Sequence, residues 1–508
     1  MKFKILISVT FAAALAFAGC GDDNGNGGGT GGTGGTGGTG GAGGTGGAGG
    51  TGGAGGTGGS GGTQGVCQTG YGGFPAADCE NLPDLTSYAV GDFYDVPETA
   101  TDDCTTTFEG AANNSNELNT ILDAANIGDV ICIAAGTYEM EATITIAAVP
   151  NLTLKGVGAS PDATVLNFGG PGTGKGILVQ QDNVTIENMW VKNTGDNAVQ
   201  QEEVTGSVFR KVHVSWDINE NMSDNGAYGL YPTDCHATLV EYNQIQGASD
   251  AGIYVGKCGW GDDTTDGGIV RYNVVHENVL GLEVENSLDV VAHDNTMVNN
   301  AAGLLSLQQP ISPEKPSNMN ILWYRNDSYC NNHPNFAATG VAQIAPPGSG
   351  AIIYSGNGQE LCNNNVQGNI TGGFLVISNY LVCQVDPPTD CNRPEGYIPY
   401  PINIYLHDNY YADNGTSPQG DFAALFLALG VGTPESPVEN VFWDGYIYPD
   451  APDGNPGICL GADNTASYRD MTDNQCQAVE GGNLVGVISC AQDNTTTSTA
   501  GRLCDAPL

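Results

Sequence analysis

From Gly176 to Leu305 the apolar residues come in short runs of Val, Ile, Leu and Tyr, broken by Gly and Asn, with almost no helical spacing. Gly followed by an aliphatic residue recurs at Gly176-Ile177, Gly229-Leu230, Gly252-Ile253, Gly281-Leu282 and Gly303-Leu304. The last four glycines are spaced 23, 29 and 22 residues apart. A second beat falls between them, an Asn with an apolar residue three before and usually another two after. It reads Val240-Asn243-Ile245, Val270-Asn273-Val275 and Ala292-Asn295-Met297, returns at Leu406-Asn409-Tyr411, and is partial at Trp323-Asn326. A repeat of this length holding several short strands predicts a solenoid, since each coil is too small to bury its own apolar face.

Stacked coils pair strand on strand about 4.8 Å apart. Leu230, Ile253, Leu282 and Leu304 then form one inward row, and Pro232, Val255 and Val284 the next. Asn243, Asn273 and Asn295 stack at a bend, where side-chain amides bond along a ladder. Parallel crossovers favour a right-handed coil. Cys235 lies six after Gly229 and Cys258 six after Gly252. They share one slot in adjacent coils, within disulfide reach, so a Cys235–Cys258 staple is predicted. The segment "GWGDDTTDGG" after it is a loop inserted at that corner.

Upstream, Leu118, Ile121, Leu122 and Ala125 mark an amphipathic helix, followed by a Gly-Asp turn and a strand ending Gly-Thr-Tyr. This stretch resembles the N-terminal cap and first coil of pectate-lyase-like right-handed parallel β-helix proteins. The combination "GAYGLYP", "GASDAGIYVG" and "GLEVENS" is similar to a family of exported β-helix repeat proteins of unassigned activity. The resemblance covers residues 110 to about 310, with weaker coils to about 415. It implies an all-β fold with an N-terminal helical cap, a lipoprotein or secreted chain, and a second exported protein as partner.

The first residues add a location. In "MKFKILISVTFAAALAFAGC" two lysines precede an apolar run too short for a membrane span, which marks an export signal. Its Ala18-Gly19-Cys20 ending resembles a bacterial lipobox, with Phe17 where Leu is usual. Acylated Cys20 gives a bacterial membrane-anchored lipoprotein, facing the periplasm or the cell surface and not spanning the membrane. From residue 21 to about 66 come Gly-Gly-Thr and Gly-Gly-Ala triplets without proline, a flexible tether reaching roughly 35–40 Å. The expected organisation is a signal peptide (1–19), lipidated Cys20 and linker (20–66), a disulfide-linked segment (67–109), the β-helix (110–430) and a Cys-rich C-terminal cap (431–508).

The net charge of −42, with only 14 Lys plus Arg, excludes nucleic acid held through phosphates. Removing Cys20 from the 15 cysteines leaves an even number in an exported chain, which predicts disulfides. Cys67 and Cys79 are expected to close a small loop, and Cys459, Cys476, Cys490 and Cys504 to pin the C-terminal cap.

Candidate chemistry is sparse. β-Helix enzymes cleave or epimerise polysaccharides, but the Gly-His-Gly, Arg-x-Lys and Asp-Pro-His-Glu segments used by some of them are missing. The arginines at 210, 271, 325, 393, 469 and 502 show no grouping, and the six histidines no ligand spacing. One face differs. Two residues after each register position the side chain points outward, giving Leu178, Gln200, Tyr231, Tyr254, Glu283 and Leu305, if Ala198 stands where other coils have Gly. Tyr231 and Tyr254 are expected as an exposed stacked pair, with Asp196, Asp250 and Glu283 beside them, a pattern suited to sugars. A solvated acidic face is the plainer alternative. Asp262, Asp263 and Asp266 in the inserted loop are candidate calcium ligands, and no other cofactor is called for. The reading is a non-catalytic binding or scaffold module for a glycan or protein ligand; the alternative is a polysaccharide lyase, hydrolase or epimerase on the same fold.

Overall fold

The computed structural model describes residues 67, 71–170, 172–217, 221–261, 266–310, 314–379, 397–447, 456–461 and 466–471, and the backbone of Leu503–Cys504. Cys20, the tether, Asp262, Asp263, Cys476 and Cys490 lie outside the described residues.

One coil runs through Ala251–Gly256, Gly268–Arg271 and Val274–His276 before the next begins at Leu280–Glu285. We number the faces from the Gly268 strand: face 1 holds Gly268–Arg271, face 2 Val274–His276, face 3 Leu280–Glu285. Every pairing between these strands of successive coils is parallel. The chain folds as a right-handed parallel β-helix. Leu230, Ile253, Leu282 and Leu304 pair in register on face 3 and are at most 2% exposed. Because a strand alternates its side chains, that inward row fixes Tyr254 and Glu283 on the opposite side. Ala198 does stand in the glycine slot, since Ile177 pairs with Val199 and Val199 with Leu230.

The bends explain the asparagines. Tyr242, Tyr272, Asp294, Arg325, Asn363 and Asp408 all have φ of 51–57°, a left-handed conformation that turns the chain between faces 1 and 2. Asn follows each one. Asn243 Nδ2 donates to Asn273 Oδ1 (2.9 Å), Asn273 to Asn295 (2.8 Å), Asn295 to Asn326 (2.9 Å), Asn326 to Asn364 (3.0 Å) and Asn364 to Asn409 (2.9 Å). A second ladder runs along the bend between faces 2 and 3: Asn278, Asn300, Asn331, Asn369 and Asn414, with links of 3.0–3.2 Å. Each buried amide satisfies backbone groups that the bend would otherwise strand. At the third corner Cys235 is bonded to Cys258, with Cα atoms 4.3 Å apart.

The N-terminal cap is the helix Asn114–Asp123, which buries Leu118 and Leu122 against Ile144–Ile146. Asn113 caps it, accepting from Asn116 N at 2.8 Å. Strands persist beyond residue 430, at Val441–Trp443, Cys459–Gly461 and Tyr468–Asp470. No helix among the described residues is long and apolar enough to cross a membrane.

The segment before the helix does not close on itself. Cys67 is bonded to Cys362, Cys79 to Cys330 and Cys104 to Cys132, so the expected Cys67–Cys79 loop is replaced by a strap along the solenoid. The strap crosses the outward side of face 2, where Leu85 and Val90 cover Val274 and Val298. Polar groups fix its path. Gln244 Nε2 donates to Leu85 O (2.6 Å), Ala89 N to Gln244 Oε1 (2.7 Å) and Lys211 Nζ to Pro97 O (2.9 Å). The apolar outward residues of face 2 are what make the strap adhere; Leu85, Ala89 and Pro97 meet partners more than a hundred residues away in sequence, which is why local spacing did not show it.

Candidate functional site

On the outward side of face 3, Gln200 pairs in register with Tyr231, and Tyr254 with Glu283 and Leu305 behind it. The tyrosine rings of 231 and 254 stack with centroids 4.8 Å apart and planes at 19°. Tyr228 joins them, 4.7 Å from each. The expected pair is therefore a triad. It is also less exposed than expected: Tyr254 is 5% exposed and Tyr231 half-buried. The reason is the long connection between coils at 330–348, whose Phe336, Ala337 and Val341 pack into the same apolar cluster and wall the face.

Acids surround the triad. The Tyr228 hydroxyl donates to Asp250 Oδ2 at 3.4 Å. Glu283 is 4% exposed and adds negative charge beside Tyr254. Glu285, also 4% exposed, accepts the Tyr254 hydroxyl on Oε2, while its Oε1 makes no hydrogen bond. Gly256 makes this reach possible. A Cβ there would sit 2.9 Å from the Tyr254 ring, so only glycine leaves the slot open for the phenol. Burial first, then repulsion from Glu285, pushes the Asp250 carboxyl up to about 7. Burial likewise raises Glu285 to about 7 against the Tyr254 hydroxyl, Lys257 and Gln309. By exposure Glu285 is the more buried of the two; Asp250 is half-buried beside Tyr228. Two neighbouring acids that hold protons near neutrality can donate or accept them at a ligand.

Glu285, four after its register position and two after Glu283 on the same side of one strand, belongs with the carboxylates expected to flank the tyrosines. Asp196 was expected there too, but it pairs with Lys175 at 3.7 Å and makes no bond to the triad. Of the candidate calcium ligands only Asp266 is described; it is exposed and accepts from Gly268 N at 2.9 Å, as a turn residue does. Elsewhere Cys67, Glu360, Cys362 and His407 converge, but the two cysteines are joined to each other and are spent as metal ligands. His407 lies between Glu360 (3.0 Å) and Asp408 (2.7 Å). Burial alone would lower its basicity; those bonds outweigh it and raise it.

Two of the arginines do group. Arg210 Nε and Arg271 Nε both donate to Glu241, at 2.6 and 2.8 Å, from the coils on either side of it on face 1. A cavity of about 410 Å³ is lined by Asn332, Asn335, Gln343, Gln419 and Asp421 among others, and by none of the tyrosines or acids of the triad site.

Residues 160–311 match the model of the family described as right handed beta helix region. No curated protein matches the chain. Among solved structures it is similar to the A-module of mannuronan C-5 epimerase AlgE6 from Azotobacter vinelandii, with 15% identity and a TM-score of 0.45 over 74% of this chain and 85% of that one. A mannuronic acid specific polysaccharide family 6 lyase from human gut microbiota shows 11% identity and a TM-score of 0.40 over 80% and 92%. DFA-IIIase from Arthrobacter chlorophenolicus A6 shows 13% and 0.42 over 70% and 93%. At these values the likenesses assign no residue a role.

Proposed function

We propose that the outward side of face 3 is a carbohydrate-binding site, built on Tyr228, Tyr231 and Tyr254 with Asp250, Glu283 and Glu285. The observation that carries this reading is the tyrosine triad, with Tyr228 and Tyr231 both stacked on Tyr254 and acids set against it on adjacent coils. Aromatic faces take the apolar side of a sugar ring, and carboxylates bond its hydroxyls. Tyr231 and Asp250 are the site's half-buried members, and Tyr254 and Glu285 its buried ones. The test is a glycan array on the wild type and Tyr231→Ala, with and without calcium. Binding in the wild type that the variant loses supports the reading; equal binding by both removes it.

A second reading is catalysis on the same sugar. Tyr254, Glu285 and Asp250 are the observation in its favour, since a phenol bonded to a carboxyl that titrates near neutrality is suited to proton transfer. New reducing ends, unsaturated products or epimerised residues after incubation with any bound glycan would select it.

We also place the protein outside the cytoplasm, anchored through acylated Cys20, which suits its disulfides. Cys20→Ser would then move it from the membrane to the soluble fraction; retention on the membrane would contradict the anchor.

A further inference from the structure

Asp250 and Glu285 differ from the buried acids that arginine holds elsewhere in the fold, and from buried Asp444, whose carboxylate accepts from Ser378 N and Oγ. Glu241, 3% exposed, is gripped by Arg210 and Arg271. Glu439, 6% exposed, is held by Arg469 through two bonds of 2.5 and 2.6 Å. Asp294 is held by Arg325 at 2.6 and 2.9 Å. Among the described residues no ion pair involves Asp250 or Glu285, and Lys257 acts on Glu285 only through its field. A carboxyl 4% exposed with one oxygen making no hydrogen bond is costly to keep, unless a ligand completes it.

We propose that face 3 takes a saccharide bearing free, protonated amino groups, a polymer of amino sugar. The inference rests on the carbohydrate reading above and adds the charge of the ligand. An ammonium supplies donors and the positive charge that arginine supplies to Glu241 and Glu439. Tyrosine faces attract the same group through their ring quadrupole, and Tyr254 lies between Glu283 and Glu285. A uronate chain would bring carboxylates against carboxylates. A net charge of −42 draws a polycation in and repels a polyanion before contact is made.

The experiment is calorimetric titration of the full chain with three hexasaccharides: glucosamine, N-acetylglucosamine and mannuronate. The glucosamine hexamer is expected to bind at least about tenfold more tightly than its acetylated form, and mannuronate not to bind, tenfold being about 1.4 kcal/mol. Glu285→Gln and Asp250→Asn should each weaken glucosamine binding by about tenfold or more, while Glu117→Gln on the exposed cap helix should leave it unchanged. Cooperative urea unfolding of each variant establishes that it is folded, and the two site variants check one another. If acetylated or mannuronate chains bind as tightly, and Tyr231→Ala abolishes that binding, the amino-sugar proposal falls and the carbohydrate site stands. If no saccharide binds, both fall. Equal weakening by Glu117→Gln would mean diffuse attraction to an acidic surface, and would overturn the proposal. So would equally tight binding of a hexalysine peptide that Glu285→Gln abolishes.

Discussion

The Tyr254 hydroxyl donates to Glu285 on the next coil, and it crosses a slot that Gly256 leaves empty. Three positions on two coils thus make one polar contact inside an apolar cluster. Tyr254→Phe would remove the hydroxyl that Glu285 Oε2 accepts, on a carboxyl whose Oε1 already makes no hydrogen bond. The expected loss is about 1–3 kcal/mol in urea unfolding, the range for a buried acceptor left unpaired. Gly256→Ala should act in the same direction by displacing the phenol. A loss below about 0.5 kcal/mol for Tyr254→Phe would mean that the contact is not held in solution.

The same acids give a pH dependence with a definite sign. Asp250 and Glu285 are raised to about 7 in the folded protein. Unfolded, they titrate near ~4. Between roughly pH 4 and 7 the folded state therefore holds more protons, so stability from these groups is full below about 4 and is lost as pH rises through about 7. Asp162 and Asp294 are shifted the other way, despite burial, by His213 and by His293 with Arg325, and act mainly below that window. The double variant Asp250→Asn, Glu285→Gln should lose less stability than the wild type between pH 4.5 and pH 7.5. A steeper loss in the variant would reverse the assigned shifts. The comparison uses urea midpoints at both pH values.

Face 3 was legible because every coil must bury one apolar residue there, and that demand repeats in sequence. It fixed Ala198 as a glycine equivalent and set Tyr231, Tyr254 and Glu283 outward. The second asparagine ladder was missed, although Asn278, Asn300, Asn331, Asn369 and Asn414 each follow a first-ladder Asn by five. The grip of Arg210 and Arg271 on Glu241 was equally available, since Glu241 and Arg271 each stand two before a ladder Asn. What has no periodic signal stayed hidden. The strap pairs Cys79 with Cys330 across 251 residues, and the wall over Tyr254 comes from a non-repeating insertion.

An interior ladder position should matter more than the last one. Asn300 Nδ2 donates to Asn331 Oδ1 (3.0 Å) and Val275 O (2.9 Å), while its Oδ1 receives Asn278 N (3.1 Å) and Nδ2 (3.0 Å). Asn300→Ala leaves several fully buried groups unpaired at once, and about 2–4 kcal/mol is expected. Asn414 ends its ladder, donating to Val366 O (2.9 Å), and its loss should cost less. Equal losses in chemical unfolding would show that the amides do not act as a chain.

The strap makes a prediction that separates its bridges from its packing. Its ends are held by Cys67–Cys362 and Cys104–Cys132, and its middle by Cys79–Cys330. Between the last two bridges it covers Val274 and Val298 with Leu85 and Val90, all at most 6% exposed. Cys79→Ser with Cys330→Ser removes the middle bridge and leaves the ends tied. Stability should drop by about 2–5 kcal/mol, as for loss of a native disulfide. The drop should be local. Amides from Leu85 to Phe93 should exchange faster with solvent, Ala89 N among them because its bond to Gln244 is then held by packing alone. Amides of face 3, such as those of Ile253 and Leu282, should keep their protection, because the coils pair without the strap. Faster exchange throughout both faces would show that the strap holds the solenoid itself together. Unchanged exchange at Ala89 would show that Gln244 and the apolar residues of face 2 suffice to hold it.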